Sequence, residues 1–176
     1  ALIRKKDKNF SAENIPEDDP ETFEMLSAGK SAAVFQFESA GMQKILKDAK
    51  PTCIEDLIAL NALFRPGPMD NIPQFCNCKN GKEKIKYPHP DLEPILKNTY
   101  GVIVYQEQVM QVVQKIGGFS LGKADMLRRY MSKKKVKEME KMKDEFIPGA
   151  KERGYTEKLA NEIFDLLIPF SKYGFN

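Results

Sequence analysis

The residues best suited to chemistry in this sequence are two adjacent arginines, Arg128 and Arg129, followed closely by Lys133, Lys134 and Lys135. A guanidinium group is planar and permanently charged, and it binds phosphate oxygens through paired donors. Arginine is therefore the favoured residue for holding a triphosphate. The three lysines add compact positive charges just beyond the arginines. Together these five residues predict a site for a polyanionic ligand.

The two arginines are predicted to lie on a helix that begins near Ser120. The apolar residues of this helix share one face, and they are Ala124, Leu127 and Met131. Arg129 then points away from that face, and Arg128 lies about 100° from Arg129 around the helix axis. Two guanidiniums so placed can straddle an extended anion. The pattern leaves open the alternative of an exposed basic helix that binds no ligand.

Positive charge is concentrated in one part of the chain. The whole sequence has 28 basic and 25 acidic residues, a net charge of +3. Residues 123–143 hold nine basic and three acidic residues, a local net charge of +6, so the rest of the chain sums to −3. A basic stretch of this kind is typical of proteins with a polyanionic partner. A non-enzymatic helical module that binds nucleic-acid backbones through residues 123–143 is thus a second hypothesis.

No catalytic residue and no metal site is predicted within this chain. The three cysteines and His89 suggest zinc, but the spacing of Cys76 and Cys78 lacks a second C-x2-C or H-x3–5-H pair. No carboxylate cluster resembles a two-metal site. A glycine-rich phosphate-binding loop is also missing from the sequence.

Capping residues and apolar periodicity predict a mainly α-helical fold. The predicted helices run from Pro20 to about Ala28, from Ser39 to before Pro51, over 54–64, over 107–116, from Ser120 to about Met131, over 135–153 and from Thr156 to about Ser171. The helix over 135–153 is expected to be interrupted near Pro148, because proline removes a helix hydrogen bond.

Two short strands and one irregular segment complete the predicted fold. Aromatic and β-branched residues predict strands at Ala32–Glu38 and Tyr100–Gln106. Residues 71–94 contain four prolines and are expected to be irregular, with a short helical turn after Asp91. The fold class is therefore mainly α, or α+β with two short strands.

Composition excludes one class of protein and favours one compartment. No apolar run approaches the roughly 18 residues that a membrane span requires, so a transmembrane protein is excluded and no membrane partner is expected. The basic N-terminal residues are not followed by an apolar segment, so they do not form a secretory signal. Three cysteines, an odd number, suit a reducing compartment. The predicted location is cytoplasmic.

Five motifs, in order, resemble the fingers region of the bacterial replicative DNA polymerases, the alpha subunits of DNA polymerase III. They are FRPGP at 64–68, YGVIVYQEQVM at 100–110, ADMLRR at 124–129, KKK at 133–135 and YGFN at 173–176. The resemblance extends from about Ile15 to the last residue. It implies that residues 1–176 are a single irregular helical fingers domain, one piece of a larger enzyme that continues past Asn176.

The resemblance implies the function of the cations. In this family the fingers close over the incoming deoxynucleotide, and the arginine pair at Arg128 and Arg129 contacts its triphosphate, with Lys133, Lys134 and Lys135 nearby. Arg65, Tyr173 and Asn176 are expected near the same cleft. The parent enzyme is implied to be a DNA-directed DNA polymerase that acts in chromosomal replication on primer-template DNA. The catalytic palm and its Mg²⁺ lie outside this chain, so the isolated chain is expected to be inactive.

The same resemblance implies partners and departures from the family pattern. The implied partners are the sliding clamp, the clamp loader and the proofreading exonuclease, all bound through regions outside this chain. Tyr130 and Ser132 stand where alanine and glycine are more usual. Residues 76–78, Cys-Asn-Cys, replace a more ordinary polar segment, which is expected to be a loop that tolerates change.

Overall fold

The computed structural model describes residues 3–169, which are mainly α-helical and contain no β-strand. The predicted mainly α class is confirmed. The helices are α1 (Pro20–Ser27), α2 (Ala40–Ala49), α3 (Ile54–Leu63), α4 (Ile72–Lys79), α5 (Glu93–Leu96), α6 (Gln106–Gly117), α7 (Leu121–Ser132), α8 (Val136–Glu152) and α9 (Glu157–Leu167). Short 3₁₀ segments occur at Ile3–Lys5, Ala12–Asn14, Pro68–Asn71, Pro90–Leu92 and Lys97–Thr99. Within the described range, no helix is long and apolar enough to cross a membrane.

The chain divides into two compact units, residues 1–57 and 58–176. In the first unit α1 packs against α2. Both helices begin as predicted, because Asp19 accepts a hydrogen bond from the Thr22 amide and Ser39 accepts one from the Met42 amide. The buried apolar residues of this pair are Leu26, Met42, Leu46 and Ala49.

The core of the second unit lies among α6, α7, α8 and α9, which pack against one another. These helices bury one apolar face each, as their periodicity predicts. The largest fully buried side chains of this core include Ile116, Leu127, Met131, Phe146 and Phe164. The Phe146 ring contacts the Phe164 ring at a centroid distance of 5.2 Å. This core supports the helices that carry the cations.

Two glycines allow α6 and α8 to approach closely. A methyl group added at Gly149 would lie 2.2 Å from the Gly117 carbonyl oxygen, and one added at Gly117 would lie 2.2 Å from the Phe146 ring. Both distances are far below van der Waals contact. The backbones of α6 and α8 can therefore cross at this separation only because neither position has a side chain.

The predicted strand at Ala32–Glu38 is wrong. Ala33 and Gln36 both have positive φ angles, 61° and 68°. A residue in the left-handed region turns the chain, so two of them in this segment exclude an extended strand. The fully buried Ser31 hydroxyl fixes the resulting turns by donating to the Phe37 carbonyl at 2.6 Å.

The predicted strand at Tyr100–Gln106 is also wrong, although Val102 and Val104 are buried. Tyr100 and Gly101 have φ angles of 53° and 83°, so the chain turns there. Beyond the turn, the Val104 and Tyr105 amides donate to the Gln108 side chain at 2.8 and 3.0 Å. One buried glutamine thus supplies the acceptor that a neighbouring strand would have provided.

Residues 71–94 contain a helix that the sequence analysis did not predict. α4 occupies residues 72–79, and its proline lies in the first turn, where the missing amide costs nothing. Cys76 and Cys78 are buried in this helix rather than placed in a tolerant loop. The predicted turn after Asp91 is present as Pro90–Leu92 and α5.

The expected interruption of the long charged helix is wrong as well. α8 runs without a break from Val136 to Glu152, with Pro148 inside it. Phe146 and Ala150, on either side of the proline, are fully buried. Their burial stabilises the helix across the lost hydrogen bond.

Candidate functional site

The two arginines lie on α7, which forms for the reasons the sequence indicates. Ser120 caps the helix by accepting a hydrogen bond from the Lys123 amide at 3.3 Å. The residues on its buried face are Ala124, Leu127 and Met131, as predicted. Packing of this face leaves the Arg129 side chain 67% exposed and the Arg128 side chain 30% exposed. Both guanidiniums are accessible to a ligand.

Both guanidiniums bind the same carboxylate, that of Asp125. Arg128 donates to Oδ1 from Nε at 2.8 Å and approaches it with Nη2 at 2.7 Å. Arg129 donates to Oδ2 from Nε at 2.8 Å. Asp125 lies three and four residues before them, a spacing that brings side chains together on a helix. The arginines are therefore held side by side.

The ion pairs also fix the charge state of Asp125. The hydrogen bond from Arg128, and after it the one from Arg129, hold the pKa of this carboxyl below its ordinary value. Asp125 is therefore ionised at neutral pH, and the cluster carries one net positive charge. The cluster is therefore less positive than two isolated arginines would be.

Lys133, Lys134 and Lys135 form the connection between α7 and α8, and all three are exposed. The Lys134 amide donates to the Met131 carbonyl, and the Lys135 amide donates to the Tyr130 carbonyl. This pair of bonds is a Schellman C-cap, which requires a left-handed residue that is usually glycine. Lys134 fills that position with φ 54°. The turn exposes three consecutive ammonium groups at the end of the arginine helix.

Other cations of the 123–143 stretch are neutralised by acids outside it. Lys123 forms an ion pair with Glu145, and Lys143 forms one with Asp165 at 2.6 Å. The sequence count of +6 includes both lysines, so it overstates the charge available to a partner. The exposed cations of this stretch without an ion pair among the described residues are Lys133, Lys134, Lys135, Lys137 and Lys141.

Arg65 lies at the end of α3, and its Nε donates to the Ala62 carbonyl at 3.1 Å. The guanidinium is half-buried against its own helix. Its place in the cleft stays a prediction. Tyr173 and Asn176, the other two residues predicted for the cleft, lie outside the described residues.

Two further features bear on what the site can do. A cavity of about 840 Å³ lies elsewhere in the second unit, lined by residues that include Gln74, Lys86 and Val102 but none of the five predicted cations. Among residues 3–169, no group of three or more His, Cys, Asp or Glu side chains could hold a metal ion. The paired guanidinium donors on α7 are suited to electrostatic binding of an anion.

Two residues that organise this site, Asp125 and Ser132, are not among those predicted from the sequence. Asp125 was counted as an acid of the basic stretch, although its spacing from both arginines predicts the ion pairs that the structure contains. Ser132 was noted only as a departure from glycine. Its hydroxyl donates to the Arg128 carbonyl at 3.1 Å and accepts a bond from the buried Gln106 side chain at 3.3 Å. No sequence signal indicates this contact, because 26 residues separate the partners.

The family model and the similar proteins all point to one family, the alpha subunits of bacterial DNA polymerase III. The family model described as the bacterial DNA polymerase III alpha subunit finger domain matches residues 1–154. The chain is 65% identical over 175 residues to DNA polymerase III subunit alpha of Borreliella burgdorferi, and 60% identical over 178 residues to that of Treponema pallidum. It is 47% identical over 177 residues to the corresponding protein of Bacillus subtilis.

These similarities cover nearly the whole chain but a small part of each relative. They include 99% of this chain for the first two relatives and 100% for the third. The chain spans about 15% of the length of the curated relatives it matches.

Proposed function

This chain belongs to the finger-domain family of bacterial DNA polymerase III alpha subunits, and on that premise we propose that it binds the triphosphate of the incoming deoxynucleotide in a template-directed DNA polymerase. Membership of this family implies a role in DNA replication. Arg128 and Arg129 are the proposed triphosphate ligands. Lys133, Lys134 and Lys135 are proposed to contribute further positive charge.

The observation that carries the proposal is the adjacent pair of guanidiniums on α7, of which Arg129 is exposed and Arg128 is half-buried. Asp125 occupies Nε and Nη2 of Arg128 and Nε of Arg129, and no other hydrogen bond from these two guanidiniums is present among the described contacts. Guanidinium donors in a fixed fork match the oxygens of a phosphate group. A triphosphate carries several such groups, so both arginines can bind it at once.

The proposed reaction belongs to the whole polymerase. A primer 3′ hydroxyl attacks the α-phosphate of the nucleotide, a new phosphodiester bond forms, and the bond to pyrophosphate breaks. Arg128 and Arg129 would neutralise the triphosphate and stabilise the negative charge of departing pyrophosphate. The family resemblance implies Mg²⁺, but the described residues contain no acidic cluster that fits it. The resemblance assigns that ion to palm residues outside this chain.

The wider setting is proposed on the same premise. The partners of the parent protein would be primer-template DNA, the sliding clamp, the clamp loader and the proofreading exonuclease. The binding sites of the clamp, the clamp loader and the exonuclease are assigned to regions outside this chain. The cytoplasmic location also stays a prediction.

The proposal is tested by substitution of Arg129 with alanine in the full-length protein. Loss of one charge-assisted contact, worth about 1.5–3 kcal/mol, corresponds to a roughly 10- to 150-fold loss of affinity. We therefore expect the nucleotide KM of primer extension to rise by about that factor. Lys158→Ala, an exposed position on α9, is the matched control and should leave KM unchanged. Equal nucleotide KM values for wild type and Arg129→Ala would contradict the assignment.

A second candidate function is binding of a nucleic-acid backbone without regard to nucleotide. The observation in its favour is that Lys137 and Lys141 extend the exposed lysines along α8, four residues apart. Backbone binding should weaken steeply as salt rises, because each phosphate contact releases counterions. Titration of the full-length protein with single-stranded DNA, with and without deoxynucleotide, separates the candidates. Affinity that depends on salt but not on nucleotide favours the second.

A further inference from the structure

We infer that Asp125 is a positioning residue for the nucleotide: its carboxylate holds Arg128 and Arg129 in the paired arrangement that a triphosphate requires. The inference rests on the proposed function. It assigns a role in the site to an acidic residue, which would not be expected beside a polyanion on the basis of its charge. An acid beside a triphosphate repels it. The structure gives a reason why this acid is favourable nonetheless.

The reason lies in which atoms the carboxylate engages. Oδ1 receives Nε and Nη2 of Arg128, and Oδ2 receives Nε of Arg129. Each guanidinium has five N–H donors. Most of the donors on the two groups therefore remain for a ligand, whereas the Nε edges are fixed to one rigid carboxylate. The acid sets the orientation of both groups without using up their capacity to bind phosphate.

The carboxylate also lowers the cost of bringing two like charges together. Arg128 and Arg129 are neighbours in sequence, and without Asp125 their side chains would repel each other and sample many rotamers. Ordering them on nucleotide binding would then reduce the affinity. Asp125 orders them when the chain folds. Its ion pairs keep its own pKa low, so it remains charged at the pH of any polymerase assay.

Two possible roles of Asp125 predict opposite effects of Asp125→Asn on nucleotide binding. If the carboxylate acts only as a nearby negative charge, Asp125→Asn improves nucleotide binding. If it positions the arginines, the same substitution weakens binding, because a neutral amide holds the guanidiniums less firmly. Glu140→Gln is the matched control, since Glu140 is an exposed acid of the same basic stretch with no ion pair among the described residues.

The experiment measures primer extension by the full-length protein, with nucleotide KM and kcat determined separately. We expect Asp125→Asn to raise KM several-fold and Glu140→Gln to leave KM unchanged or lower it. In an Arg128→Ala/Arg129→Ala background, Asp125→Asn should have no further effect on KM. That non-additivity would not arise from a general loss of stability. Asp125→Glu, which retains the charge, should recover part of the affinity.

The outcomes separate this inference from the proposed function. If Arg129→Ala leaves KM unchanged, the proposed function fails. If Arg129→Ala raises KM but Asp125→Asn lowers it or matches Glu140→Gln, the positioning role is overturned and the proposed function stands. An equal effect of Asp125→Asn with and without the arginines would also overturn the positioning role.

Discussion

Substitution of Gly149 with alanine tests whether close packing of α6 on α8 depends on the absence of side chains. Gly149 lies inside α8, and a Cβ there would be 2.2 Å from the Gly117 carbonyl oxygen and 3.2 Å from the Gly117 carbonyl carbon. The obstructing atoms belong to a backbone, so no rotamer change can relieve the contact. The two helices must separate by close to 1 Å, a distance that also disturbs the Phe146 ring beside Gly117.

The expected magnitude follows from two opposing effects. Overpacking of a well-packed core costs about 1–3 kcal/mol, and a backbone clash belongs at the upper end of that range. Replacement of glycine by alanine inside a helix returns about 1 kcal/mol through helix propensity. We therefore expect Gly149→Ala to lower the free energy of unfolding by about 2 kcal/mol, the difference between these two contributions.

Gly122 provides the matched control. It is also helical, in the first turn of α7, and no atom lies within 4 Å of the position its Cβ would occupy. Gly122→Ala should stabilise the chain by about 0.5–1 kcal/mol, because only the propensity effect applies. The same substitution is thus expected to lower the free energy of unfolding at Gly149 and to raise it at Gly122.

The assay is urea unfolding of the 176-residue chain, followed by far-UV circular dichroism and compared at equal m-values. A Gly149→Ala chain as stable as wild type would refute the close-packing argument. Similar stabilisation by both substitutions would show that propensity alone governs these glycines.

The other predictions concern strain, pH and the isolated chain. Lys134→Gly should raise the unfolding free energy by about 1 kcal/mol in the same urea assay, since Lys134 has φ 54°; no gain would contradict strain at this turn. Tyr155 donates a hydrogen bond to the Asp91 carboxylate. This bond is the main reason why the pKa of Asp91 lies below its ordinary value of 3.8, and the nearby charges of Lys115 and His89 lower that pKa further. The bond therefore stabilises the folded chain at pH values above the ordinary pKa of Asp91. This stabilisation is lost as the pH falls through the lowered pKa that Asp91 has in the folded chain. Tyr155→Phe should therefore reduce the thermal midpoint at pH 7, with a difference from wild type that shrinks below about pH 4; a constant difference would exclude the link. Two arginine contacts contribute about 1.5–3 kcal/mol each against an association cost of about 4–15 kcal/mol, so calorimetry should find millimolar or weaker nucleotide affinity for the isolated chain. That chain should also not extend a primed template.

The positions of most helices, though not of α4, were predictable because their signals are local. The caps at Asp19, Ser39, Ser120 and Thr156 each lie within three residues of the amide they bind. Apolar periodicity identified the buried face of α7 correctly. Such signals involve residues within one or two helical turns of each other, so they can be read directly from the sequence.

The two wrong strands failed for a different reason. Their residues are aromatic and β-branched, which indicates burial or a pleated surface but not a partner strand. In the first, positive φ angles at Ala33 and Gln36 turn the backbone. In the second, Gln108 provides the acceptor for two amides, and Thr99 and Ile95 receive its own amide donors. Val102 and Val104 are buried in the structure, although the segment that contains them is not a strand.

By itself, the sequence determined the helical class, the basic stretch and the arginine pair, because residue type and short-range spacing are sufficient for each. Tertiary structure decided which cations remain available. Lys123 and Lys143 are neutralised by acids 22 residues away, and helix packing sets those distances. It also decided that α8 continues through Pro148 and that α6 and α8 cross at two glycines. These features depend on contacts between helices, whose free energies exceed the local preferences that a sequence displays.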